Sequence, residues 1–167
     1  MPILTLEELI GKRSGDRSPM LDMYWYCVEL PFDFEPSYVE TVTLPVPSIN
    51  MKPFFMAGRF VQFPGFRELA AFDITFYEDV SMRSFKYVQD WRNKIMDPDT
   101  GVYSLPGEYK RPMKFALTDG RTTDTPILTA ELQDVWPTTT SPIQLVNNGG
   151  QALKIQQNFA IDNVIYS

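Results

Sequence analysis

The stretch Ala71-Phe72-Asp73-Ile74-Thr75-Phe76-Tyr77, with the residues that follow it, changes period, and that change decides the fold class. Phe72, Ile74 and Phe76 fall on one side of an extended chain and Asp73 and Thr75 on the other, the alternation of a half-buried strand. Past Asp79 the residues Met82, Phe85, Val88, Trp91 and Ile95 recur every three or four positions, which predicts a helix over Ser81 to Met96. Asp79 or Ser81 can cap it. Phe85, Val88 and Trp91 are expected to pack this helix against a core, leaving Arg83, Lys86, Gln89 and Asp90 outward.

On the N-terminal side, Met23 to Leu30 and Tyr38 to Leu44 are rich in aromatic and β-branched residues and each stops at a proline, so they read as an antiparallel pair. Between them Phe32-Asp33-Phe34-Glu35-Pro36 sets two aromatics beside two acids, a tip that packs on its own domain or on a neighbour. Pro53 to Phe66 holds five phenylalanines in fourteen positions. Part of it must be a short strand, and its rings either fill a core or meet another protomer. Thr5-Leu6-Glu7-Glu8 has capping-box form and opens an arm and loop over residues 1–20.

On the C-terminal side, Asp97-Pro98-Asp99-Thr100-Gly101 is a turn rather than a calcium loop, because the glycine and glutamate are out of register. Met113 to Thr118 and Ile127 to Val135 form a hairpin across Asp119-Gly120, with Glu131 and Gln133 on its wet face. Trp136-Pro137 should end the second strand, since proline has no ladder donor. Asn147-Asn148-Gly149-Gly150 then turns between a short strand at Ile143 to Val146 and a last strand from Ala152 to Ile161.

These elements describe a mainly β domain with one helix, α+β by content: a β-sandwich or half-barrel with the helix packed outside. The 167 residues suit one domain over 1–167, and 44% apolar with 14% aromatic residues is too rich for disorder. The net charge of −6 opposes nucleic-acid binding by counterion release. No histidine is present, which removes the commonest general base and metal ligand. Cys27 lies in an apolar run and reads as a core residue. No apolar run approaches the ~20 residues that span a bilayer.

No nucleotide, zinc, nucleophile-elbow or Cys-x-x-Cys motif occurs, so no cofactor or metal is expected. An enzyme would have to work with carboxylates alone, as glycosidases do, from Glu29, Glu40, Asp73, Glu131 or Asp134. A monomeric carbohydrate-binding or carboxylate-only hydrolytic sandwich is therefore the alternative of another class.

The run Ile74-Thr75-Phe76-Tyr77-Glu78-Asp79, followed by Phe85, Trp91-Arg92, Gly101, Asp119-Gly120 and Val135-Trp136-Pro137-Thr138, resembles the tail tube proteins of contractile-tailed bacteriophages and the related secretion tubes. The resemblance implies a non-enzymatic virion protein whose hexameric rings close their inner sheets into one β-barrel and stack as the inner tail tube. DNA would pass through the lumen without specific binding. The implied partners are further copies, the tail sheath, baseplate tube proteins and the tape measure protein, with assembly in the host cytoplasm and no membrane. A baseplate tube adaptor or a secretion-system tube would share the fold. Under this resemblance Asp73, Thr75, Glu131 and Gln133 are candidate lumen residues, and Thr5, Glu8, Phe32 and Phe34 candidate contacts between rings.

Overall fold

The structure, a computed structural model, describes residues 24–118, 125–145, 147 and 150–167. Its strands are β1 (Trp25–Glu29), β2 (Val39–Val42), β3 (Ser48–Met56), β4 (Arg59–Glu68), β5 (Phe72–Tyr77), β6 (Arg111–Leu117), β7 (Leu128–Thr140), β8 (Lys154–Ala160) and β9 (Asn163–Tyr166). The main helix is α1 (Arg83–Ile95), and α2 is one turn at Pro106–Tyr109. The expected architecture, mainly β with one principal helix, is the one observed.

Seven strands form an antiparallel sheet in the order β1-β6-β7-β8-β5-β2, with β9 also on β7, while among the described residues β3 and β4 pair only with each other. The sheet bends within β7. Its first part pairs with β6 and β9, its second, from Trp136, with β8. Between the two, Asp134 has φ of 55° and so lies in the left-handed region that reverses a strand's course. Two layers result, β1-β6-β7-β9 and β7-β8-β5-β2, joined through β7 and not closed into a barrel among the described residues.

The layers meet through alternate residues. Phe72, Ile74 and Phe76 of β5 and Phe159 of β8 join Met113 and Phe115 of β6, Leu132 of β7 and Val164 of β9 in one buried cluster. Helix α1 covers the rest of the inner face of β5 and β8: Tyr87 lies 6.4 Å from Phe76 and Trp91 5.7 Å from Phe159, ring centre to ring centre.

Several sequence readings are corrected. β1 and β2 do not pair; they form opposite margins of the sheet, β1 on β6 and β2 on β5. Trp136-Pro137 does not end β7, which runs on to Thr140. Among the described residues the second half of β7 has a strand on one side only, and proline is tolerated on a strand at such a margin. Ile143 to Leu145 are not a strand; the strand expected over Ala152 to Ile161 is β8, and β9 beyond it was not anticipated. The Asp119-Gly120 turn and the arm at residues 1–20 lie outside the described residues.

The helix is shorter than expected and rotated. Its buried side is Ser84, Tyr87, Val88 and Trp91, and Met82 is left-handed (φ 54°) and stands outside the first turn. Ser84 tolerates burial by donating its hydroxyl to the Tyr77 carbonyl, at 2.8 Å. Phe85 is only half-buried. Asp79 does cap: its Oδ1 accepts from the amides of Ser81 (2.9 Å) and Arg83 (3.3 Å).

Candidate assembly surface

The largest departure from the sequence reading is residues 48–68. They form two long strands joined at Ala57-Gly58, where φ is 49° and 75°, the two positive values of a tight hairpin turn. None of their side chains is buried. Phe54, Phe55, Phe60, Phe63 and Phe66, with Ile49, Met51 and Met56, are each between 44% and 73% exposed. The rings neither fill a core nor point away from one another. Phe55 meets Phe60 edge-on at 5.3 Å on one face, and Phe54 meets Phe63 at 5.4 Å on the other.

Cross-strand partners share a face. One face therefore carries Met51, Pro53, Phe55, Phe60, Gln62 and Pro64, and the other Lys52, Phe54, Met56, Arg59, Val61 and Phe63. The ribbon is anchored at its base, where Arg67 donates to the Asn163 side chain and the Val164 carbonyl, each at 3.3 Å. A two-stranded ribbon in water is marginal on its own, and a ribbon apolar on both faces more so.

The candidate lumen residues divide between the two layers. Asp73 and Thr75 lie on the outward face of β5, where Asp73 accepts from the Gln156 amide at 3.1 Å. Glu131 and Gln133 lie on the outward face of β7; Glu131 stands 4.0 Å from Lys114, and Gln133 accepts from the Asn163 amide at 3.0 Å. The shared core separates the two pairs, so they are not one wall.

Phe32 and Phe34 pack on the chain's own helix, the first of the two placements expected for this tip. Phe34 stacks on Tyr87 at 4.1 Å, and Phe32 sets its ring on Trp91 at 5.5 Å with the Lys94 ammonium 4.4 Å above it. Val88 and Trp91 are buried in the core. Thr5 and Glu8 lie outside the described residues.

Several polar groups pair across the fold. Glu40 at the β2 margin accepts from Lys154, which chiefly holds its carboxyl below the ordinary 4.5; the Tyr77 hydroxyl at 3.0 Å adds to this. A carboxyl depressed in this way stabilises the fold above its unfolded value and loses that contribution as pH falls through the folded one. Thermal melts of the native chain should therefore decline below about pH 4.5, and Glu40→Gln should flatten that part of the profile. Burial pushes the Cys27 thiol up to about 12, so it is protonated at neutral pH. A thiol reagent at neutral pH should leave the native protein unlabelled and modify one cysteine after unfolding.

A polar cluster escaped the sequence reading. Gln157 is fully buried between Ile155 and Phe159, accepting from Thr140 at 2.6 Å and from Arg92 at 3.3 Å. A glutamine in phase with inward-pointing apolar residues was the available signal. No group of three or more His, Cys, Asp or Glu side chains is placed to hold a metal among the described residues. No helix there is long and apolar enough to cross a membrane.

No protein-family model matches the sequence, and no curated protein matches it. Solved structures do. The sheath/tube terminator of an extracellular contractile injection system, PVC, in its extended state, aligns with a TM-score of 0.68 at 14% identity, over 92% of this chain and 99% of that one. The extended sheath-tube complex of the same system aligns at 0.63 and 15% identity, over 90% and 93%. The anti-feeding prophage baseplate, 6-fold symmetrised, aligns at 0.65 and 10% identity, over 90% and 96%. The chain thus shares its overall fold with chains of these contractile injection system assemblies.

Proposed function

We propose that this chain is a structural, non-catalytic subunit of a contractile tail. Hexameric rings of it would stack into the inner tube through which DNA is delivered, with the sheath, baseplate tube proteins and tape measure protein as partners. The observation that carries the reading is the uncovered β3–β4 ribbon. Its eight exposed apolar side chains leave on the order of 800 Å² uncovered, about one partner's share of a stable protein–protein interface. The margins at β1 and β2 support it further, because an open sheet edge is a liability that ring closure removes.

The sixfold symmetry of the baseplate neighbour favours six copies. The net charge of −6 suits a wall along which phosphate slides without sticking. Only one layer can face the hole, so either Asp73 and Thr75 or Glu131 and Gln133 line it. Cysteines placed at Asp73 and at Gln133 distinguish them: in assembled tubes, the lumenal one should be shielded from a bulky maleimide.

Negative-stain imaging of purified full-length protein tests the whole reading. Open-ended tubes of stacked rings are expected, and a monomer at all concentrations would overturn it. A terminator is the second reading, favoured by the near-complete coverage of the terminator structure. It would give discrete rings that do not stack.

A further inference from the structure

The two faces of the β3–β4 ribbon differ in charge. At the base of the ribbon Arg67, opposite Ile49, shares the Phe55/Phe60 face and Glu68, opposite Ser48, the Phe54/Phe63 face; beyond the base the first carries no ionisable group, whereas the second carries Lys52 and Arg59. Across residues 48–68 three cations, Lys52, Arg59 and Arg67, stand against Glu68, a net +2. The other 12 cations and 20 carboxylates leave the rest of the chain at −8. A second copy of this chain is thus the complementary partner for the cationic face.

We propose that the ribbon makes two chemically distinct contacts, both with copies of this chain. The Phe55/Phe60 face, uncharged beyond its base, forms the lasting contact within a ring. The Phe54/Phe63 face, rimmed by Lys52 and Arg59, forms a salt-sensitive contact with the acidic body of a copy in the next ring. This rests on the tube reading above.

The physical grounds are those that separate permanent from reversible interfaces. Lasting contacts between identical subunits are the more apolar, and charge at an interface sets encounter rate, register and salt dependence. The length of the ribbon allows both. Nine residues of strand reach about 30 Å, enough to touch more than one neighbour. Its interior prolines, Pro53 in β3 and Pro64 in β4, each remove a donor, so contact through the faces is favoured over strand addition at the edges.

Paired substitutions test the assignment by sedimentation and negative-stain imaging of the full chain, with thermal melts as a fold control. Phe55→Ser with Phe60→Ser should give monomers and lose rings. Phe54→Ser with Phe63→Ser should give rings that fail to stack. Lys52→Glu with Arg59→Glu, which leaves every ring in place, should also give unstacked rings, and raising salt should shorten wild-type tubes. Melts should match wild-type monomer in each case, since neither face contributes to the core.

Identical products from the two phenylalanine pairs, or stacking insensitive both to salt and to the charge reversal, would overturn the division of labour while leaving the tube reading intact. A wild-type chain that stays monomeric would overturn both.

Discussion

Trp91→Ala is expected to lower stability by about 3–5 kcal/mol, the cost of emptying a fully buried aromatic position. Trp91 has no exposed surface, and three rings surround it: Phe32 at 5.5 Å, Phe159 at 5.7 Å and Tyr87 at 5.9 Å. The indole also donates from Nε1 to the Tyr109 carbonyl at 2.7 Å, which ties α1 to α2. Alanine removes both, leaving a cavity between helix and sheet and an acceptor without its donor. Trp91→Phe separates the two contributions. It keeps most of the packing and loses the hydrogen bond, so a cost of about 1–3 kcal/mol is expected. Urea unfolding of monomeric protein at low concentration measures both. A midpoint unmoved by Trp91→Ala would mean that α1 does not hold the core.

Phe159→Ala should cost a similar amount, about 3–5 kcal/mol, for a different reason. Phe159 stands next to the end of β8, stacked on Phe72 at 5.5 Å and paired across the ladder with Phe72 and Pro137. Its loss opens the inner face of the β7-β8-β5-β2 layer where Trp91 also rests. The two cavities would merge in the double variant, so its cost should differ from the sum of the singles by about 0.5–3 kcal/mol. Strict additivity in that cycle would contradict the ring contact between helix and strand.

The parts of this fold that were legible in the sequence are those whose environment repeats at a fixed period. Phe72, Ile74 and Phe76 alternate because β5 has a buried face and a wet one, and Val88 and Trp91 recur because α1 has one buried side. Phe85 misled because apolar character marked the face there, whereas Ser84, its hydroxyl bonded to the Tyr77 carbonyl, and Tyr87 take the buried positions. The β3–β4 ribbon was illegible as a hairpin for a related reason. With apolar residues on both faces it shows no alternation, and Ala57-Gly58 lacks the Asn-Gly signature of its turn. Pairing of β1 with β6 and of β2 with β5 joins residues far apart in the chain, and nothing local encodes it. The candidate lumen residues share a pattern, wet positions on strands, but the pattern does not say to which layer a strand belongs. That depended on the bend at Asp134.

The prolines inside each ribbon strand also bear on the time during which a newly made chain carries its ribbon uncovered. A long, aromatic, two-stranded segment without such breaks is the kind of template on which chains add indefinitely into cross-β fibres. With Pro53 and Pro64 interrupting its outer donors, the segment can remain adhesive without seeding that growth. Concentrated synthesis then carries less danger of losing chains to amyloid.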